Sequence, residues 1–370
     1  MHTTEPIRFF FGANTPQGFY GFHETDLYDA RDGWIAFLIK SGAGTGKSTF
    51  MRRLWNTAYN KGIVGEAICC SSDPASLDAI RFPAQKVCVI DATAPHILEP
   101  VAYGECEQLV PFGCCLKSSL CEDTASWFEE ADACAAGHAR CCRLMGAAAG
   151  LLENNRRLQD TALRHDKIAT TARRLAEKEF GVARRHGGHE LRRFLSAVTP
   201  QGHLFLADTV TALCPKLYVL EDEYGAAASR FLTVLREELL TRGKALITCP
   251  CPLDPHRKLD HLLVPSEGVA FITANSYHKL GGPVYRRIHA ARFTEGGSLP
   301  ASKQQLRFNR RAASELLREA AAHAADAKTH HDRMEARHTA HMDWELWKQL
   351  AADAEERFVS VLEARTAQNH

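Results

Sequence analysis

The chain repeats itself, and that repeat governs everything else it can fold into. Residues 8–18 read RFFFGANTPQG and residues 192–202 read RRFLSAVTPQG, so Thr15-Pro16-Gln17-Gly18 returns 184 positions later as Thr199-Pro200-Gln201-Gly202. A three-residue deletion brings the offset to 181, where Lys61-Gly62 falls on Arg242-Gly243 and Asp73-Pro74 on Asp254-Pro255. One insertion makes it 182, which sets Leu77-Asp78 on Leu259-Asp260, Pro83 on Pro265 and His96 on His278. Single matches carry no weight, but a collinear series at nearly half the length of a 370-residue chain is the mark of a duplication. Two domains are expected, 1–186 and 187–370, each long enough to bury its own core.

Each copy follows one plan. An apolar strand (Phe9–Phe11; Phe194–Leu195) leads through TPQG to a short helix and a buried strand (Trp34–Ile39; Leu217–Leu220). A loop and an amphipathic helix follow (Ser48–Lys61; Ser229–Arg242), then two more strands (Glu66–Cys70 and Val87–Ile90; Ala245–Cys249 and Val269–Ile272). Apolar strands alternating with helices predict an α/β fold with tandem parallel sheets covered on both faces. Each copy closes in a long helical stretch, about 122–185 and 302–367, rich in Ala, Glu, Arg and Leu and broken near Asn154-Asn155 and His341–Asp343, which reads as a helical hairpin. His186-Gly187-Gly188-His189 is the expected hinge between copies.

The chemistry-bearing segment is Ser41-Gly42-Ala43-Gly44-Thr45-Gly46-Lys47-Ser48-Thr49, between a strand and a helix. It fits the P-loop pattern G-x-x-x-x-G-K-[ST] with one departure, Ser41 in place of the first glycine. Gly42, Ala43, Gly44, Thr45, Gly46, Lys47, Ser48 and Thr49 are the expected nucleotide-binding residues, because glycines let successive amides face an anion at a helix start. Lys47 is expected to reach the β- and γ-phosphates, and to stand largely exposed in the empty loop. Ser48 and Asp91, the latter ending the apolar run Val87–Ile90, are the expected ligands of Mg²⁺. No glutamate follows Asp91, since the next residues are Ala92-Thr93.

FFFGANTPQGFYGF, SGAGTGKSTFMRRL, CCSSDPASLDAI and VCVIDATAPH together resemble the duplicated P-loop ATPase-like proteins of Gram-positive bacteria. The resemblance covers both halves and implies P-loop NTPase-type sheets, ATP binding and a cytosolic setting, with no defined substrate. In that family both halves can carry a P-loop. Here EDEYGAAASRF (residues 221–231) lies under KSGAGTGKSTF (residues 40–50), so Gly42, Gly46 and Lys47 become Glu223, Ala227 and Ala228, and Asp91 becomes Thr273. The second site is expected to be dead, with Glu221, Asp222 and Glu223 repelling phosphate and meeting an arginine of the first half.

Asp73 and Asp78 sit where α/β folds bind ligands, and Asp73 is a candidate to orient water or take a proton from a hydroxyl. Their recurrence in the dead copy, like that of His96, equally suits turn and capping roles. Phe19, Tyr20 and Phe22 read as core rather than as an adenine stack, since apolar Leu204, Phe205 and Leu206 replace them.

Residues 156–193 hold eleven Arg/Lys against five Asp/Glu, with Arg-Arg pairs at 156–157, 173–174, 184–185 and 192–193, a solvated face by default and a nucleic-acid surface in the alternative. His330, His331, His338 and His341 have helical spacing that could gather a metal. Thirteen cysteines, several adjacent and none spaced C-x₂-C, suit a reducing compartment better than disulfides or a metal cluster. A net charge of +1 argues against a polycation, and no signal peptide or membrane span is evident, so a cytoplasmic protein is expected.

The functional expectation is a Mg²⁺-dependent ATPase working from the first loop alone. A kinase acting on a small molecule or nucleotide is one alternative. A nucleotide-gated protein that binds a partner through its helical hairpins is another.

Overall fold

The computed structural model describes residues 7–117, 124–182, 187–295 and 303–368. The N-terminal segment before Ile7, Cys121, the Arg184-Arg185 pair, His186 of the expected hinge, and the margins 122–123, 183–185 and 302 of the expected helical stretches lie outside the described residues.

The first copy begins with β1 (Ile7–Phe9), β2 (Gly12–Thr15), β3 (Gly18–Gly21), the one-turn α1 (His23–Asp26) and β4 (Ile35–Ile39). It continues through α2 (Lys47–Asn60), β5 (Glu66–Cys69), β6 (Leu77–Phe82), β7 (Val87–Asp91) and β8 (Glu107–Val110) to α3 (Ala125–Asp160) and α4 (His165–Phe180). The second copy runs β9 (His189–Arg192), β10 (Ser196–Thr199), β11 (Gly202–Phe205), α5 (Ala207–Leu213), β12 (Lys216–Glu221) and α6 (Ala226–Thr241). Then come β13 (Ala245–Cys251), β14 (Asp254–Val264), β15 (Val269–Ala274), β16 (Arg286–His289), α7 (Lys303–Ala340) and α8 (Trp344–Gln368).

Two six-stranded, mostly parallel sheets result, ordered β1-β5-β6-β7-β4-β8 and β9-β13-β14-β15-β12-β16. They match to the residue. Glu66 faces Arg81 as Ile247 faces Leu263, and Ile35 faces Val87 as Lys216 faces Val269. Even the irregularity after Ile68 recurs after Cys249. A one-residue slip would turn every side chain to the other face, so this agreement fixes the alignment of the copies.

Two features differ from the sequence expectation. TPQG is a strand-to-strand turn, with the short helix coming after it: Thr15 and Thr199 each donate their hydroxyl to the glycine carbonyl three residues on (2.7 and 2.8 Å) and accept the glutamine amide at 3.2 Å. Each sheet also has a central strand running antiparallel to its neighbours, β6 and β14. Asp78 and Arg81 are buried on β6. Arg81 pairs with Glu66, donates from Nε to the Leu27 carbonyl at 2.5 Å, and lies 4.5 Å above the Trp34 ring. A paired, hydrogen-bonded guanidinium is the form in which a buried charge is tolerated.

The chain divides into two units, one of Met1–Gly12, Phe19–Arg140 and Ala322–His370, the other of Ala13–Gly18 and Cys141–Ala321. The sheets fall in the sequence halves, but the helices that cover them do not. In the first unit Trp347, Ala351, Ala354, Phe358 and Leu362 of α8 form a buried stripe at helical spacing. Phe358 meets Phe37 and Phe82 with ring centroids 5.8 and 5.7 Å apart, and Trp347 meets Phe112 at 5.2 Å. In the second unit Ile168, Ala172, Leu175 and Ala176 of α4 do the same against α6. Helix α4, in the first half of the sequence, therefore covers the second sheet, and α8, in the second half, covers the first. Among the described residues no helix is long and apolar enough to cross a membrane.

Candidate functional site

The first loop leaves buried β4 at Lys40 and enters α2 at Lys47. Gly44 and Gly46 have φ of +67° and +82°, a left-handed backbone that residues with a Cβ rarely adopt. Close packing adds to the requirement. A Cβ at Gly44 would lie 2.3 Å from the Glu335 carbonyl, and one at Gly46 3.1 Å from the Trp347 ring. Thr339 donates its hydroxyl to the Gly44 carbonyl at 2.8 Å, and His338 Nδ1 lies 2.9 Å from the Ala43 carbonyl. These residues of α7 and α8 are part of the site's wall. Nothing in the linear sequence ties position 338 to position 43, so no signal announced them.

The residues predicted from sequence do converge. Lys47 Nζ bonds the Gly42 carbonyl and stands 3.4 Å from Asp91 Oδ2. Both side chains are only about one-seventh exposed, at 14% and 15%, so Lys47 is not the open surface group expected of an empty loop. The carbonyl and carboxylate hold it inward. Burial lifts the Asp91 carboxyl above its usual range, against the pull of Lys47 and the Thr93 hydroxyl. Ser48 Oγ accepts the Leu77 amide at 3.1 Å, and Thr45 donates to the Gly42 carbonyl at 2.9 Å. Thr49 is exposed on the outer face of α2.

Asp73 sits apart in its own turn. It accepts the Ser76 hydroxyl at 2.9 Å and faces Lys328 Nζ at 3.6 Å.

The second loop closes on itself. Asp222, 2% exposed, takes the Ala228 amide at 2.9 Å, the Tyr224 amide at 3.3 Å and Gln159 Nε2 at 2.7 Å. Gln159 Oε1 then accepts the Ala226 amide at 3.0 Å. These amides align with those of Lys47, Ala43 and Thr45. Among the described residues no protein acceptor pairs with the amides of Ala43 to Ser48. Asp222 aligns with Ser41, so the departure from the P-loop pattern lies at the position where the second copy carries its plug.

The expected pairing of the acidic run with an arginine of the first half does not occur. Glu221 pairs with Arg287 at 2.7 Å and Glu223 with Arg310 at 3.2 Å, both in the second half. Helix α6 starts at Ala226, aligned with Thr45, so the alanines turn loop into helix.

The remaining candidates separate. His330 meets Glu130 at 2.6 Å, His341 Nδ1 lies 2.8 Å from the Arg337 carbonyl, and His338 holds the loop, so the four histidines do not gather. Arg156 and Arg157 pair with Glu153, and Arg173 with Glu238, which leaves no bare cationic stripe of those side chains. The twelve described cysteines are free thiols. Phe22 is core, whereas Phe19 is 39% exposed.

The chain matches no family model, no curated protein and no solved structure.

Proposed function

We propose that the chain binds one Mg²⁺·nucleoside triphosphate, with ATP as the first choice, at Gly42–Thr49 and hydrolyses it. One observation carries this reading: at matched register, the second loop's amides are taken by Asp222 and Gln159, while the first loop's have no internal acceptor. Open amides at the start of a 14-residue helix favour an anion. Lys47 would leave the Gly42 carbonyl for the β- and γ-phosphates, offsetting charge that builds on the phosphoryl oxygens.

Ser48 and Asp91 fit Mg²⁺, since both are oxygen donors and a buried carboxylate with a raised pKa gains from a cation. When bound, the ion supplies neutralisation of phosphate charge. No glutamate follows Asp91 in the chain to orient water, so turnover is expected to be slow.

Two further readings differ in support. Transfer to a second substrate would use Asp73, but Ser76 and Lys328 already engage that carboxylate, which favours hydrolysis. A nucleotide-gated role is favoured by the contacts of His338, Thr339 and Trp347 with the loop, because phosphate binding there would press on α7 and α8.

Lys47→Ala is the direct test. Mg·ATP should raise the wild-type melting temperature in a concentration-dependent way, by mass action, and leave the variant's unchanged. Calorimetry with a non-hydrolysable analogue should give one site per chain. Equal stabilisation of wild type and variant, or two comparable sites, would remove the assignment.

A further inference from the structure

Behind the first loop lies a cluster that the nucleotide reading does not use. His23 opens α1, Asp78 is the second residue of β6, and His96 sits in the loop after β7. All three are more than nine-tenths buried, and one ligand atom from each lies within 4.8 Å of the others. The imidazole rings stack 4.4 Å apart, and His96 Nε2 stands 3.5 Å from Asp78 Oδ1. His23 Nε2 and His96 Nδ1 are buried without a hydrogen-bond partner. Two unsatisfied imidazole nitrogens beside one carboxylate are costly for a core and useful for a metal.

The second copy supplies the comparison. Asp260 stands at the position of Asp78, and Lys258 places its ammonium 2.6 Å from Asp260 Oδ1. The residue aligned with Lys258 is Ser76, which instead bonds Asp73. The residue aligned with His23 is Ala207. The copy with a lysine on this carboxylate lacks this histidine, and the copy with the histidine has Ser76 in place of the lysine.

We propose that His23, Asp78 and His96 bind one divalent first-row transition-metal ion, zinc being the reference case. Imidazole nitrogen suits such ions over magnesium, and two imidazoles with one carboxylate is a common donor set for them. Atoms within 4.8 Å of one another all come within about 2.8 Å of a shared point, so small side-chain rotations reach the ~2.0–2.1 Å of a zinc bond. Three protein ligands leave a coordination position for water or for Cys70, which lies beside Asp78. The ion would tie together α1, β6 and the loop after β7, the segment that follows Asp91.

The test is titration of chelator-treated full-length protein with Zn²⁺ by calorimetry and with Co²⁺ by visible absorption, in the absence of nucleotide. One ion per chain is expected. His23→Ala and Asp78→Asn should each weaken binding by more than the ~10–100-fold that outer partners of metal ligands cost. Ser76→Lys guards against simple misfolding, because it copies the arrangement at Lys258: it should keep the far-ultraviolet spectrum and lose the metal. Lys47→Ala should bind metal as the wild type does, which separates this site from the nucleotide site. Absence of stoichiometric binding in the wild type would overturn the proposal. So would binding that survives His23→Ala but disappears in His331→Ala, which would move the ion to the exposed His331, Asp332 and Glu335 group.

Discussion

The loops at 40–50 and 221–231 occupy the same place in matched sheets and handle the same problem differently. Amides at the start of a helix need an anion or water. The second loop answers with its own Asp222, secured by Gln159, and is finished without a ligand. The first has Ser41 at that position and keeps its amides open under His338 and Thr339. The loss of Lys47 and two glycines from the second copy is thus one part of a change whose other part is the gain of an internal carboxylate. A degenerate site of this kind is a completed structural element.

The largest effect is expected from taking the plug out. Asp222→Ala would leave the Tyr224 and Ala228 amides and Gln159 Nε2 without their acceptor, at a cost of about 3 kcal/mol in urea unfolding. A loss below about 1 kcal/mol would mean that water replaces the carboxylate freely and that the second nest is not closed.

The reverse exchange sharpens the comparison. Ser41→Asp should fold, and its carboxylate should take the amides that we propose receive phosphate. Mg·ATP at 100 times its Kd stabilises a protein by about 2.7 kcal/mol, and the variant should lose all of it. Retained stabilisation would show that the two nests differ by more than one side chain.

Acid should separate the copies by a smaller margin. His261 and His278 are buried in the second sheet, and burial lowers their pKa to about 4 and about 3. Their folded values lie below the unfolded value near 6.5, so the unfolded chain binds more protons and stability falls as pH drops below it. Ala79 holds the place of His261 in the first copy. Lowering the pH from 6.5 to about 5.5 costs about 1 kcal/mol for each histidine. Hydrogen-exchange protection factors, taken against the intrinsic rate at each pH, should therefore fall in β13–β15 before β5–β7 as pH drops from 6.5 toward 4. The opposite order would contradict the assignment of these histidines as neutral.

The smallest change expected is from Thr339→Val, which removes an exposed hydrogen bond to the Gly44 carbonyl. It should cost about 0.5–1 kcal/mol or less. A large shift in nucleotide affinity from this substitution would instead support the gated reading.

What was legible in the sequence depended on whether the deciding partner was near in the chain. The repeat, the strand–loop–helix setting of Lys47 and the strand-end position of Asp91 are local patterns, and they place the candidate site. Strand β6 was missed because Asp78 and Arg81 interrupt an apolar reading, and it is Glu66, Trp34 and the Leu27 carbonyl that make the burial of Arg81 tolerable. The run Glu221–Glu223 was read by sign, as repulsion. Its outer members did find cations, but the middle one found amides, which charge counting does not register. The stretches holding α4 and α8 were legible as helical, yet a helical composition carries no address, and each of these two helices serves the sheet of the other half.

That exchange has a consequence for the order in which the protein is made. A ribosome releases the chain from its N-terminus, and domains tend to fold in that order. The second sheet emerges after α4, so its cover is waiting. The first sheet emerges with Phe37 and Phe82 bare, and Phe358, which packs on both, is translated only after the whole second sheet. The half that carries the first loop is therefore the later of the two to gain its full core, and Trp347 settles against Gly46 only once α8 has been made. Ribosome-arrested chains stopped before α8 should be cut readily by protease within the first sheet, and full-length chains should resist.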